Sequence, residues 1–138
     1  MKINDYVFKY RVVKAYETKA SEGHYESGVM LIARTPHVVC KDGFTMSVQA
    51  NFSAYSNPRG VIYEGEYDSM EIGFPSAPES LIAEYAEDWE IEGDDDPRLC
   101  GTVYGYVPVE VIDAVIEKHG GINEEAAQIV LGEQWYEE

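Results

Sequence analysis

Apolar and polar residues alternate most regularly in FTMSVQA, residues 44–50. Phe44, Met46, Val48 and Ala50 fall on one face and Thr45, Ser47 and Gln49 on the other, the period of two that a half-buried strand imposes. The preceding HVVC is a second short strand. Lys41-Asp42-Gly43 lies between them as turn chemistry, with Gly43 supplying a positive φ, so a hairpin is expected here. Residues 6–15 (YVFKYRVVKA) are rich in aromatic and β-branched side chains and predict a strand, and GVMLIA (28–33) predicts a short central one. After the turn SNPRG (56–60), VIYEGEY and DSMEIGF suggest another strand pair, with Met70, Ile72 and Phe74 inward and Ser69, Glu71 and Gly73 outward. A last strand is expected in LCGTVYGYV (99–107).

Helical spacing enters later in the chain. Ser76 and Glu79 have the S-x-x-E form of a capping box, predicting a helix over 78–88. It would bury Leu81, Ile82 and Tyr85 and leave Glu79, Glu84, Glu87 and Asp88 in solvent. Pro108 suits a first helical position; Val109, Ile112, Val115 and Ile116 form an inward stripe ending at His119-Gly120-Gly121. Asn123 then caps a helix over 124–131 that Gly132 ends, with Trp135 and Tyr136 packing back. The expected fold class is α+β: one domain, 1–138, with an antiparallel β-meander of five or six strands packed against two or three short helices.

Apolar residues make up 45% of the 138 and eleven are tyrosine. A core is therefore within reach without staples, and the low-hydrophobicity signature of disorder is absent. No apolar run reaches the roughly 18 to 20 residues of a membrane helix. The N-terminus MKINDYVFKYRVVK lacks the apolar core of a signal peptide. The expected location is the cytoplasm. Cys40 and Cys100, the two cysteines, read as free thiols.

Charge changes the picture. The net is −16, but residues 1–60 hold eight Lys/Arg against five Asp/Glu, and residues 61–138 hold two against 21. Between Arg59 and Arg98 stand thirteen carboxylates and no base over 38 positions. Like charges packed this densely strain a fold by self-repulsion, so a use for them becomes an expectation. The densest stretch, EDWEIEGDDDPR (87–98), carries seven carboxylates in twelve residues.

Catalytic chemistry finds little support. Neither a G-x-G-x-x-G loop nor a P-loop is present. His37 and Cys40 with Cys100 and His119 lack the second close ligand pair of a zinc site. Asp94-Asp95-Asp96 lacks the alternating oxygens and glycine of an EF-hand. His119-Gly120-Gly121 has the letters of an esterase oxyanion loop, but its place after an amphipathic helix makes it a C-cap. A glycosidase carboxylate pair sits in a cleft, not in a contiguous exposed run. No catalytic residue, metal ligand or cofactor is expected. A deep pocket lined by His37, Cys40, Tyr104 or His119 would reverse that expectation.

Direct nucleic-acid binding is disfavoured because phosphate contacts need Lys and Arg. Lys9, Arg11 and Lys14 form no stripe; they guard an edge strand. The acidic surface suits the opposite partner. Duplex DNA carries one charge per about 1.7 Å of axis, so sixteen charges match roughly 8 base pairs or about 27 Å. A domain of this length has a radius of gyration of about 14 Å, so its long dimension is of the same order as that length of duplex. Core packing is the commoner fate of residues such as Trp89 and Ile91, and anchoring a contact is the other.

Several stretches resemble a set of small proteins encoded by phages and prophages: DGFTMSVQA (42–50), YSNPR (55–59), YDSMEIGFPS (67–76), YAED (85–88) and VYGYVPVEVIDAVIEKHGGI (103–122). Members have the forms DGF-x-MSVQAS, Y-C-x-PR, V-E-V-G-FPS and VYGYVPVE with a helix ending in HGG. The resemblance covers roughly 36–122. This chain departs from it at Tyr55-Ser56, where the family often has Tyr-Cys, so no role of that cysteine carries over. The family is uncharacterised; the resemblance implies a viral origin and supplies no catalytic residues.

Origin and charge together suggest, by analogy with acidic DNA mimics that block CRISPR or restriction enzymes, a non-enzymatic inhibitor of a host defence system. Its partner would be a basic nucleic-acid-binding protein or complex of the bacterial host, without membrane or direct nucleic-acid contact. The expected contact residues are Glu64, Glu66, Asp68, Glu71, Glu84, Glu87, Asp88, Trp89, Glu90, Glu92, Asp94, Asp95 and Asp96. The alternative is a phage accessory or structural protein, or a small-ligand-binding protein, whose acidity is incidental.

Overall fold

The alternation over 44–50 folds as expected. In the computed structural model, which describes residues 1–18 and 28–127, strand β4 (Thr45–Gln49) pairs antiparallel with β3 (Val38–Val39). The connecting turn places Gly43 at φ +98°, and the Asp42 carboxylate accepts from the Phe44 amide at 2.9 Å. Phe44, Met46, Val48 and Ala50 are all buried. Strands β5 (Ser69–Gly73) and β6 (Val103–Pro108) extend the sheet in the order β3-β4-β5-β6, wholly antiparallel. Strands β1 (Val12–Thr18) and β2 (Gly28–Arg34) form a separate two-stranded antiparallel sheet. The class is α+β with six antiparallel strands, as expected, four of them in one sheet and two in the other.

Helix α1 (Ile3–Tyr10) replaces the first half of the strand expected over 6–15, whose residues 12–15 do lie in β1. Ile3, Tyr6, Val7 and Tyr10 are all buried, an i, i+3, i+4, i+7 spacing that overrides the β-favouring composition. Asp5 in its first turn and Lys9 in its last match the helix dipole. Helix α2 (Val109–Lys118) follows Pro108 as expected and buries Ile112, Val115 and Ile116. Its end is a C-cap: Gly120 and Gly121 take φ +89° and +94°, and the Gly121 amide returns to the Ile116 carbonyl at 2.9 Å. Residues 124–127 are helical. The rest of the expected last helix, with Gly132, Trp135 and Tyr136, lies outside the described residues. Among the described residues no helix is long and apolar enough to cross a membrane.

Three other expectations are corrected. VIYEGEY forms no strand. Its backbone is held by side chains instead: Arg11 Nη2 donates to the Ile62 carbonyl at 2.6 Å, and the Tyr67 hydroxyl donates to the Gly60 carbonyl at 2.6 Å. Phe74 points outward, 55% exposed, because the chain turns through φ +50° there. Ser69 and Gly73, expected outward, are buried. The predicted helix over 78–88 reduces to turns and a single 3-10 turn, Ala83–Tyr85. Ser76 and Glu79 do not cap it; Ser76 Oγ accepts from the Thr45 amide, and Glu79 is drawn into the core. Ile82 is buried as expected, but Leu81 is 40% exposed.

The core lies between the inner face of the four-stranded sheet and the two helices, with Tyr6, Tyr67 and Tyr104 its largest buried side chains. Asn4 fastens α1 to the sheet side. Its Nδ2 donates to the Tyr67 carbonyl at 3.1 Å, and its Oδ1 accepts the Tyr67 amide at 2.9 Å. Truncating it leaves two buried backbone groups unpaired. Asn4→Ala is therefore expected to cost about 2–4 kcal/mol, measured by urea unfolding; a loss within experimental error would show that the clamp is not needed.

Candidate functional site

The acidic residues come from two loops that reach opposite ends of the β5–β6 pair. Residues 61–68 lead into Ser69, which pairs with Pro108; residues 87–102 lead into Val103, which pairs with Gly73. Glu87 ties the second loop to the sheet edge through its amide, which donates to the Val103 carbonyl at 2.9 Å. Five strand residues span about 17 Å, so the loops flank a strip of that order.

Glu64, Glu66, Asp68, Glu84, Glu87, Glu90, Glu92, Asp94 and Asp95 are exposed, and Glu71 and Asp88 are half-buried. Asp96 is not available for a contact. It is buried, accepts the Glu92 and Arg98 amides at 2.9 Å each, and pairs with the Arg98 guanidinium at 2.7 Å. Those bonds, that to Arg98 foremost, hold its carboxyl far below the usual range. Asp96 thus shapes the loop that displays the others. Arg98, the base that ends the run, is spent on it and lies 3.8 Å from Glu90.

Trp89 is 87% exposed. The commoner expectation, core packing, fails for it, whereas Ile91 is half-buried against the core. An indole held in water among Glu87, Asp88, Glu90 and Glu92 gains nothing for folding. Trp89→Ala is accordingly expected to leave stability within about 0.5 kcal/mol of the parent by thermal unfolding. A larger loss would mean that the indole packs on its own chain.

Glu71 faces outward from the middle of β5, and accepts the Tyr55 amide at 3.4 Å. Burial raises its carboxyl pKa, and the neighbouring Glu87 charge adds to the rise; the Tyr55 amide and Arg59 oppose it. Tyr55 and Tyr106, which were not among the expected contact residues, meet here with ring centroids 5.8 Å apart. Gly105 inside an otherwise apolar strand was the available signal, since such a glycine marks a bulge or a close approach.

A groove of about 500 Å³ lies beside Glu71, lined by His37, Ser47, Gln49 and Asn51 among others. Gln49 and Asn51 are spent on backbone: Gln49 exchanges two bonds with Thr35, and Asn51 Nδ2 donates to the Ala33 carbonyl. Of the four residues whose presence in a deep pocket would favour an enzyme or a small-ligand protein, His37 lines this groove and Cys40, Tyr104 and His119 do not. Cys40 is buried and its thiol is pushed up to about 11 by burial and then by Asp42. Tyr104 is buried, its hydroxyl donating to the Leu99 carbonyl.

His119 belongs to a different cluster. Its Nδ1 lies 2.6 Å from Asp42 and its Nε2 2.8 Å from Glu79, which also pairs with Lys118 at 2.9 Å, and its ring stacks on Phe44. Glu79, expected in solvent, is 1% exposed. Each ring nitrogen faces a carboxylate oxygen, an arrangement that favours the doubly protonated imidazolium, in which both nitrogens donate. Burial opposes that charge, but the hydrogen bonds to Asp42 and Glu79 outweigh it and the pKa is raised. For Glu79 burial acts upward, and the Leu81 amide, Lys118 and His119 together bring the pKa below 4.5. Neither nitrogen is left to act as a base. The cluster pins the end of α2 to the β3–β4 turn.

Compared with protein-family models, curated proteins and solved structures, the chain matches none of them.

The raised imidazole contributes stability that is complete below its ordinary value of 6.5 and is lost as pH climbs through the folded value. The lowered Glu79 contributes stability present above 4.5 and lost as pH falls through its folded value. The stability lost in His119→Gln should therefore peak between pH 4.5 and 6.5 and shrink on either side. A loss that is flat from acid to alkaline pH would mean that the ring acts by packing alone.

Proposed function

We propose that this chain is a non-enzymatic, phage-derived inhibitor that uses its acidic surface to imitate DNA. The target is the basic nucleic-acid-binding site of a bacterial defence complex. The observation that carries the reading is Trp89, 87% exposed within the densest carboxylate run. A side chain of that size held out of the core is the usual anchor of a protein contact. The surrounding charge gives long-range attraction to a cationic cleft and repels nucleic acid itself. The two loops at either end of β5–β6 spread that charge along about 17 Å, roughly five base pairs of duplex. The resemblance to small phage and prophage proteins supports a viral origin, and blockade of host defence is an analogy of charge and origin.

A nucleic-acid-binding protein retained from bacterial lysate at low salt should be displaced by short duplex DNA. Its affinity should fall at least about tenfold between 50 and 200 mM salt. Replacing Glu87, Glu90, Glu92, Asp94 and Asp95 together by lysine should abolish retention, while Glu110, Glu117 and Glu125 replaced by lysine should leave most of it. A partner that binds equally at both salt concentrations, or that ignores the first set of reversals, would sink the mimic and favour an accessory protein that contacts its partner elsewhere.

A further inference from the structure

Strands β5 and β6 are in register on either side of Glu71 but not at it. Met70 faces Val107 and Ile72 faces Tyr104, so Gly105 and Tyr106 together stand opposite one residue. This β-bulge keeps Tyr104 and Val107 in the core and turns Tyr106 outward, 50% exposed, at φ +52°. The Tyr106 amide donates to the Tyr55 carbonyl at 3.0 Å instead of to the ladder. A Cβ on Gly105 would stand 3.3 Å from Tyr55 Cβ and 3.5 Å from Glu87 Oε1. The bare backbone thus lets Tyr55 and Glu87 close over it. Two tyrosine rings and two carboxylates converge on one irregularity of the sheet, between the two acidic loops.

We propose that the bulge is a guanidinium-reading subsite: an arginine side chain of a basic protein partner stacks on the open face of Tyr106 and donates to the Glu71 and Glu87 carboxylates. This rests on the reading of the acidic surface as a contact for a basic partner, and names the side chain it takes. Glu71 and Glu87 repel one another, and a cation between them removes that cost. A planar fork of donors beside an aromatic face suits arginine better than the point charge of lysine. One such contact is already made within the chain, where the Arg59 guanidinium lies 5.3 Å from the Tyr55 ring centroid. The two rings, 5.8 Å apart and tilted by 34°, are too close to admit a planar group between them, which needs about 7 Å. The incoming cation therefore takes the outer face of Tyr106, and Arg59 keeps that of Tyr55.

The test titrates the full chain with hexa-arginine and hexa-lysine peptides at low salt, by calorimetry and by NMR of the tyrosine rings and the Trp89 indole. Hexa-arginine should bind about two- to fivefold tighter than hexa-lysine and shift the Tyr106 ring signals. Tyr106→Asn, a residue that accepts the left-handed backbone, should bring the arginine affinity down to the lysine level without loss of stability. Glu71→Gln with Glu87→Gln should weaken both peptides. Equal affinities in the parent, or an arginine preference that survives Tyr106→Asn, overturns the subsite. Binding that shifts Trp89 and leaves Tyr106 unmoved overturns the subsite and leaves the acidic contact standing. If neither peptide binds, both readings fall.

Discussion

Every buried backbone donor and acceptor must find a partner, and the short strands of this chain do not supply enough of them. Side chains complete the pairing. Asn4 bonds the amide and carbonyl of Tyr67, Gln49 does the same for Thr35, and Asn51 reaches the Ala33 carbonyl. Each amide imitates one rung of a ladder. Tyrosine hydroxyls do related work for loops: Tyr6 on Pro36 and His37, Tyr67 on Gly60, Tyr104 on Leu99. No buried side-chain polar atom among the described residues lacks a partner. The tyrosines that composition offers as core bulk are therefore also the fastenings of the irregular backbone.

The carboxylates divide by the same rule. Glu79 and Asp96 are buried and bonded on several sides, Asp42 joins Glu79 around His119, and their charge is consumed in holding turns. Most others in the run from Glu64 to Asp95 project into solvent with few bases near them. Like charges in solvent repel weakly when screened by salt and strongly when not. That accumulation is tolerable on two loops anchored to a packed sheet, where the cost of displaying it is carried by core contacts elsewhere. It also explains the reading of the surface as a contact for a basic partner, whose approach relieves the repulsion.

Where the fold departs from the local sequence pattern, the departure has a physical cause. Residues 3–10 combine β-branched and aromatic composition with helical spacing, and spacing prevailed because it buries four side chains on one face. Ser76 and Glu79 have the letters of a capping box, but the oxygens were worth more to Thr45, Lys118 and His119 than to a local helix. Phe74, directly after β5, itself takes a left-handed φ of +50°, which reverses its side, and no period-two pattern anticipates that. In the candidate site the exposed carboxylates were legible by charge density alone. The exposure of Trp89, the internal use of Asp96 and the meeting of Tyr55 with Tyr106 were not.

Short-range rules suffice for the β3–β4 hairpin, through its alternation and Gly43, for helix α2, through its apolar stripe and glycine end, and for the asymmetry of charge between the two halves. Which polar groups turn inward and which aromatic rings stay out is set by long-range packing. Those choices depend on partners far away in the chain, such as Glu79 with Lys118 and Asn4 with Tyr67. A buried polar atom is settled by whatever donor or acceptor the fold brings to it, and local pattern holds no record of that neighbour.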